Sequence, residues 1–222
     1  MKAGGQPLRQ AGLGAGQIDA GDADLGKSQF PRPLPDLRNE LTAADHHQRE
    51  IVGSAPAPAL ETRSLSWASE EDTQRFAAAL ARQPGLRDAF LTLYGDLGAG
   101  KTTLVRHLLR ALGVAGRIKS PTYAVVEPHR APDGLDVWHF DFYRFDDPRE
   151  WEDAGFRDIF ASPGLKIAEW PDKAAAVLPP ADVAICLHAN DDASRRVALS
   201  AHTPRGAALL RALPSSSLSE NP

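Results

Sequence analysis

The chain has 222 residues, with 25 lysines and arginines against 29 aspartates and glutamates, so its formal net charge is −4. This length suits one domain with a tail or two small domains, and the slight negative charge excludes a general electrostatic attraction to nucleic acid or anionic membranes. The single cysteine, Cys186, has no partner for an internal disulfide, so we expect a small core residue in a reducing compartment and not a nucleophile.

The N-terminal segment, residues 1–62, is rich in proline and glycine and has no sustained hydrophobic periodicity, which predicts a disordered extension. Residues 63–213 are expected to form one domain, and residues 214–222 a frayed tail. The first residues lack the apolar core of a signal peptide, and no apolar run approaches the roughly 20 residues of a membrane helix. We therefore expect a cytoplasmic protein with no membrane partner.

The extension contains "GDADLGKS" (21–28), which matches the phosphate-loop pattern G-x-x-x-x-G-K-[ST]. A working loop of this kind follows a strand and leads directly into a helix, so that its backbone N–H groups converge on the phosphates. No strand-like run precedes this match, and Pro31, Pro33 and Pro35 would break a helix after it. The flanks predict that this match is not a nucleotide site.

The domain is expected to begin with a helix near Ser69, because "SEED" has the pattern of a capping box, and this helix continues through "TQRFAAALARQ". A buried strand follows at "DAFLTLYGD" (88–96). It leads into a second match to the loop pattern, "GDLGAGKT" (95–102), and then into "TTLVRHLLRALG", which has leucines at helical spacing. Here strand, loop and helix stand in the required order, so this match is predicted to bind phosphate.

The rest of the domain alternates strands with short helices. Two strands, "YAVVEPH" (123–129) and "LDVWHFDFY" (135–143), are expected to form a hairpin, followed by one or two short helices in "DPREWEDAGFRDIF". Further strands are predicted at 165–170, 182–188 and 195–201, and a closing helix at "RGAALLRAL". The pattern indicates an α/β layered fold of the phosphate-loop type with a mixed central sheet.

A phosphate loop places a lysine on the β- and γ-phosphates and a hydroxyl on the metal ion, roles that fall by position to Lys101 and Thr102. Gly98 and Gly100 allow the backbone to approach the phosphates. Thr103 either contacts the α-phosphate or is a plain helix residue. The residues expected to bind the nucleotide are Gly95, Asp96, Leu97, Gly98, Ala99, Gly100, Lys101, Thr102 and Thr103.

Two acids, Asp141 after "VWHF" and Glu169 after "LKIA", follow apolar strands, where ligands gather at the carboxyl edge of such sheets. Each is expected near the metal; otherwise each caps a strand or pairs with an arginine such as Arg144. The loop "KSPTY" (119–123) either contacts the nucleotide or is a turn entering a strand. Taken singly, His139 and Trp170 are expected to be packing residues.

Four segments together resemble the TsaE (YjeE) family of small bacterial ATPases, whose members work in making N6-threonylcarbamoyladenosine in tRNA: "LYGDLGAGKTTLVRHLLRALG", "KSPTYAVVEPH", "HFDFYR" and "AEWPDKAAAVLPPADV". The resemblance covers roughly residues 65–212. It implies a partner-dependent ATPase that uses ATP and Mg²⁺ and acts on the TsaB–TsaD complex, with tRNA reached through that complex.

The resemblance also implies roles for single residues. It assigns the Mg²⁺ contacts to Thr102 and Glu169 and a catalytic role to Asp141, beside the phosphate-loop Lys101. The chain departs from the family at Phe145, where leucine is common, a mild change that leaves these roles standing. Two other functions use the same loop: a small-molecule kinase, which should add an arginine-bearing lid, and a nucleotide-dependent switch that does not hydrolyse.

Overall fold

The computed structural model describes residues 58–145, 147 and 149–214. The "GDADLGKS" match and the tail from residue 215 lie outside these residues, so what the sequence predicts for them stays a prediction. Within the described residues the chain forms a seven-stranded sheet with helices on both faces, which confirms the α/β fold with a mixed sheet. The strands are β1 (Glu61–Trp67), β2 (Phe90–Tyr94), β3 (Val126–Arg130), β4 (Asp136–Asp141), β5 (Leu165–Glu169), β6 (Val183–Ala189) and β7 (Arg195–Ala201).

The sheet has the strand order β1-β7-β6-β2-β5-β4-β3. Its centre is four parallel strands, β6, β2, β5 and β4, and the outer pairings are antiparallel. β2 lies between two parallel neighbours, and four of its five residues, "FLTL", are buried. This is the continuous apolar character expected of a parallel strand that is covered on both faces. Because the four strands run in one direction, their carboxyl ends meet at one edge of the sheet.

The helices are α1 (Glu70–Ala81), α2 (Lys101–Ala111), α3 (Arg149–Asp153), α4 (Phe156–Ala161) and α5 (Pro204–Ala212). Alternate strand residues face two separate apolar clusters. One cluster packs α1, α2 and α5 against the sheet, while an aromatic cluster on the other face joins Phe140 and Phe142 to Trp151 and Phe156. None of the helices in the described ranges has the length and apolarity to cross a bilayer.

Several sequence predictions are confirmed in detail. α1 begins after Ser69, whose backbone N–H donates to Asp72 Oδ2 at 3.2 Å, the return half of the predicted capping box. β3 and β4 form the predicted antiparallel hairpin. Phe145, the departure from the family pattern, is 2% exposed and packs edge-on against Phe142, with 5.3 Å between ring centroids. The larger side chain is therefore accommodated in the aromatic cluster.

One strand was not predicted, and one predicted bound is wrong. β1 was not expected, and it begins at Glu61, two residues before the domain boundary predicted at 63. Its sequence, "ETRSLSW", buries only Trp67 fully, so as an edge strand it lacks the apolar signal that identifies a buried one. β3 begins at Val126 and not at residue 123, because Val125 adopts a φ of 63° that a strand does not tolerate.

Candidate active site

The loop between β2 and α2 is shaped by glycines with positive φ. Gly95 has a φ of 131°, and a Cβ at this position would collide with the backbone carbonyl oxygen of Leu187 in β6. Gly100 has a φ of 107°, and a Cβ there would lie 2.9 Å from Nε of Arg195. The backbone conformation favours glycine at both positions, and at Gly95 the neighbouring backbone of Leu187 requires it as well.

The loop lysine is folded back over its own loop. Nζ of Lys101 donates to the carbonyl oxygen of Gly95 at 2.5 Å and to that of Asp96 at 2.8 Å. It also lies 3.9 Å from the ring centroid of Trp170, whose φ of 56° is in the left-handed region that favours glycine. Such backbone strain clusters at functional sites. Trp170, which was expected to be a packing residue, thus contacts Lys101 directly.

Burial lowers the pKa of Lys101, because the charged ammonium loses solvation. The neighbouring carboxylates of Glu169, Asp141 and Asp96 act in the opposite direction and favour the charged form. The lysine is therefore a desolvated cation that is held among acids. A desolvated cation interacts more strongly with an incoming anion than a solvent-exposed one does.

Glu169, at the carboxyl end of β5, joins three elements. The hydroxyl of Thr102, in the first turn of α2, donates to Glu169 and lies 2.9 Å from each carboxylate oxygen. Nε2 of His139, in β4, lies 2.9 Å from Oε1 of the same carboxylate. His139 is fully buried and Glu169 is 2% exposed. The carboxylate is thus held in one orientation, beside the hydroxyl predicted to contact the metal.

Asp141 is the direct neighbour of Glu169 in the parallel pairing of β4 and β5. Its carboxylate accepts hydrogen bonds from the hydroxyls of Ser120 and Thr122, the latter at 2.8 Å, and from the backbone N–H of Tyr143 at 3.0 Å. The guanidinium of Arg144, the arginine named as an alternative partner, lies 4.6 Å from the ring centroid of Tyr123. The "KSPTY" loop therefore bonds to the predicted catalytic acid.

These groups surround a cavity of about 300 Å³ at the carboxyl edge of the sheet. It is lined by Leu97, Gly98, Gly100, Lys101, Thr102, Thr103, Ser120, Thr122, Asp141, Tyr143, Glu169 and Trp170. The structure thus brings both predicted acids and most of the predicted phosphate-binding residues together in one cavity. Gly95, Asp96 and Ala99 belong to the loop but do not line the cavity.

Besides Tyr143 and Trp170, which line the cavity, two residues at the site were not identified from sequence. His139 was expected only to pack, yet it bonds to Glu169; its position two residues before Asp141, on the same face of β4, was the available signal. Arg195, the first residue of β7, donates from Nε to the carbonyl oxygen of Ala99 at 3.0 Å. No local pattern marks Arg195, because 96 residues separate it from the loop that it supports.

The donor set suits a hard cation bound together with phosphate. Carboxylates and hydroxyls are the oxygen ligands that Mg²⁺ prefers, and a magnesium site in a nucleotide enzyme uses one or two carboxylates with water and phosphate oxygens. Within the described ranges, no group of three or more histidine, cysteine or acidic side chains is arranged to hold a metal alone. The carboxylates and the hydroxyl at this edge are therefore compatible with a Mg²⁺ ion that would also bind phosphate oxygens.

Comparison with known proteins relates the chain to a family. The family model described as threonylcarbamoyl adenosine biosynthesis protein TsaE matches residues 67–197. The Haemophilus influenzae tRNA threonylcarbamoyladenosine biosynthesis protein TsaE is 40% identical over 139 residues, which is 63% of this chain and 87% of the relative. The Bacillus subtilis protein of the same name is 34% identical over 145 residues, with the same two coverages. The solved structure of Bacillus subtilis YdiB matches with a TM-score of 0.56 and 25% identity, over 69% of this chain and 94% of that one.

Proposed function

The chain belongs to the TsaE family of tRNA threonylcarbamoyladenosine biosynthesis proteins, and we propose that it serves this process as a Mg²⁺-dependent ATPase. The proposed partner is the TsaB–TsaD complex, through which tRNA is reached, and the proposed location is the cytoplasm. The observation that carries the proposal is the hydrogen bond between Thr102 and Glu169 beside Lys101. All three residues line the cavity next to the glycine-rich loop. A hydroxyl, a carboxylate and a lysine in this arrangement are the parts that nucleoside triphosphate hydrolysis requires.

The loop between β2 and α2 supports triphosphate binding through its backbone as well as its side chains. α2 begins at Lys101, directly after the loop, so the free N–H groups of its first turn and the positive end of the helix dipole face the cavity. Lys101 would exchange its bonds to the carbonyl oxygens of Gly95 and Asp96 for phosphate oxygens. The exchange replaces neutral acceptors with charged ones, which favours the bound state.

The metal would be held by Thr102 and Glu169. When bound, Mg²⁺ neutralises charge on the phosphates and orients them. His139 fixes the carboxylate through a hydrogen bond at Oε1, as outer partners of metal ligands commonly do. These residues therefore determine where the metal and the phosphates lie.

Asp141 is proposed to place the attacking water and accept its proton. Its carboxylate lines the cavity next to Glu169 and is already oriented by Ser120 and Thr122. A carboxylate that is fixed in advance needs no reorganisation during the reaction, which is how preorganised groups lower a barrier. Because both hydroxyls belong to the "KSPTY" loop, a movement of that loop would change the position of the acid.

Partner dependence is supported by two exposed side chains in the loops around the cavity, which we call its rim. Leu97 in the phosphate loop is 79% exposed and Tyr123 in the "KSPTY" loop is 85% exposed. Large exposed apolar side chains at a site mark surfaces that another molecule covers. We propose that the TsaB–TsaD complex covers this rim and stimulates hydrolysis.

The test is a pull-down with ATP and Mg²⁺ that asks whether the TsaB–TsaD pair is recovered, beside an assay of phosphate release with and without that pair. The proposal expects recovery of the pair and release that the pair accelerates. Recovery without release would favour a non-hydrolysing switch, and transfer of phosphate to a small acceptor would favour a kinase. Either result would overturn the proposed ATPase.

A further inference from the structure

Arg195, the first residue of β7, contacts the phosphate loop but does not line the active-site cavity. Its Nε donates to the carbonyl oxygen of Ala99 at 3.0 Å. A Cβ added at Gly100 would lie 2.9 Å from the same nitrogen. The guanidinium therefore packs against the peptide unit that joins Ala99 to Gly100, and it does so from outside the cavity.

The sheet fixes the place from which Arg195 reaches the loop. Arg195 pairs with Ala189 of β6, the strand that adjoins β2. Side chains alternate along a strand, so Arg195 lies on the same face of β7 as Val197 and Leu199. Those two residues belong to the apolar cluster that includes α2. The arginine is thus directed to the side of the sheet on which the phosphate loop enters its helix.

The bond to Ala99 has a consequence for the next N–H group. A peptide unit is planar and trans, so its C=O and N–H groups point in opposite directions. A bond that holds the Ala99 carbonyl toward Arg195 therefore directs the N–H of Gly100 away from Arg195. No backbone carbonyl of the described residues accepts a hydrogen bond from this N–H, and Gly100 lines the cavity. The group is therefore free to donate to a ligand there.

The loop alone does not fix this peptide, because glycine populates both signs of φ and Gly100 can rotate. Backbone N–H groups of a phosphate loop bind the α- and β-phosphates, so a rotated peptide would present a carbonyl oxygen to an anion instead. The guanidinium also carries a charge, and hydrogen-bonded groups in series polarise one another. Its bond to the carbonyl therefore makes the Gly100 N–H a stronger donor.

We propose that Arg195 is a positioning residue, which orients the peptide between Ala99 and Gly100 for phosphate binding. The inference rests on the proposed function for the identity of the triphosphate. It assigns Arg195 no contact with the base or ribose, and its effect passes through one backbone N–H.

The test uses calorimetry on the full-length chain with Mg²⁺–ATP and with Mg²⁺–tripolyphosphate, which has no base or ribose. Arg195→Ala is expected to weaken the binding of both at least about tenfold, the size of a lost hydrogen bond to a charged group. The control is Arg196→Ala, which removes the next arginine of β7, an exposed side chain that should leave both affinities unchanged. Normal tripolyphosphate binding by Arg195→Ala, whether or not ATP binding falls, would overturn the inference.

Two further variants separate orientation from charge. The side-chain nitrogen of glutamine is as many bonds from the backbone as Nε of arginine, so Arg195→Gln keeps a neutral N–H donor at the same place. Arg195→Lys keeps the charge but puts a methylene there. We expect Arg195→Gln to recover part of the tripolyphosphate affinity and Arg195→Lys to recover less. The opposite order would show that only the charge matters and would overturn the positioning role. Both variants keep a long side chain, so this comparison stands even if Arg195→Ala does not fold.

The amide resonances of the loop report the peptide directly. At saturating tripolyphosphate, the Gly100 N–H resonance of the wild type should move downfield, because the group donates to phosphate. This shift should shrink in Arg195→Ala, whereas the shift of Thr102, whose N–H is oriented by α2, should remain. An unchanged Gly100 shift would overturn the inference.

The same titrations separate this inference from the proposed function. Tripolyphosphate binding by a wild type that hydrolyses no ATP would overturn the proposed ATPase and leave the role of Arg195 standing. A wild type that binds no tripolyphosphate would overturn both.

Discussion

Nε2 of His139 lies 2.9 Å from Oε1 of Glu169, and both side chains are buried. Glu169 also accepts a hydrogen bond from Thr102. The three side chains therefore form a hydrogen-bonded series that links β4, β5 and α2. Thr102 and Glu169 are the proposed metal contacts, so His139 acts as a positioning residue for them. Among the described residues its Nδ1 has no hydrogen-bond partner, so the bond to Glu169 is the polar interaction that accounts for a buried histidine here.

Replacing His139 with alanine is expected to raise the Mg²⁺ concentration needed for half-maximal ATPase activity about 10- to 100-fold. Loss of a residue that hydrogen-bonds to a metal ligand commonly has an effect of this size. His139→Gln, which can still donate to the carboxylate, should recover part of this loss. The measurement is a Mg²⁺ titration at saturating ATP. His188→Ala, an exposed histidine in β6, is the control and should match the wild type. Normal Mg²⁺ dependence in a folded His139→Ala variant would contradict the positioning role.

Substitutions of the two acids are expected to affect nucleotide binding and hydrolysis differently. Glu169→Ala should weaken Mg²⁺-dependent nucleotide binding together with hydrolysis, because its carboxylate acts through the metal. Asp141→Asn should bind ATP about as well as the wild type but hydrolyse it much more slowly, since a contact made mainly in the transition state affects the rate more than binding. Nucleotide titrations with and without Mg²⁺, beside steady-state hydrolysis with the partner complex, distinguish the two. Reversed results would exchange the roles, and full turnover in both variants would remove both acids from the site.

Lys101→Ala should abolish hydrolysis, because the charge on the β- and γ-phosphates is lost, whereas Lys27→Ala in the first loop match should change nothing. The lowered pKa of Lys101 adds a pH dependence. The ammonium binds phosphate only while it is protonated, so ATP affinity should fall as the pH rises toward the ordinary lysine value of 10.5. Titrations of Lys101→Ala over the same range should show a flatter profile; a parallel decline in both proteins would assign the effect to another group.

Gly95→Ala should destabilise the fold more than Gly116→Ala. Both glycines have positive φ, but a Cβ at Gly95 collides with the backbone of Leu187, while a Cβ at Gly116 has no atom of the described residues within 4 Å. The backbone strain, of the order of 1–3 kcal/mol, is common to both variants. The difference in free energy of unfolding, measured by denaturant titration, therefore reports the collision with β6 together with the greater backbone strain at a φ of 131° than at 86°. Equal destabilisation would mean that the loop shifts away from β6 without cost.

Deleting residues 1–57 should leave ATP affinity unchanged, because "GDADLGKS" lacks the flanking strand and helix of a nucleotide site. The deletion stops before β1, since Leu60 already donates from its backbone N–H to Ala201 at 2.7 Å. Calorimetric titration of ATP on the full and shortened chains is the measurement. A tenfold loss, about 1.4 kcal/mol, would show that the extension takes part in binding.

The sequence by itself determined the parts of the site that are local along the chain. In "DAFLTLYGDLGAGKTTLVRHLL" the apolar run, the glycines and the leucine spacing each report backbone conformation over a few residues, and β2, the loop and α2 appear where they predict. Asp141 and Glu169 were found because each acid directly follows its own apolar strand.

The tertiary structure decided the contacts between distant segments. His139 and Glu169 meet because β4 and β5 are parallel neighbours, and Arg195 reaches the phosphate loop because β6 and β7 bring it there. β1 was missed because an edge strand with a largely exposed face carries no buried apolar run. Local patterns report whether a residue is helical, extended or buried. Which two side chains touch depends on strand order and register, which are set by the packing of the whole sheet.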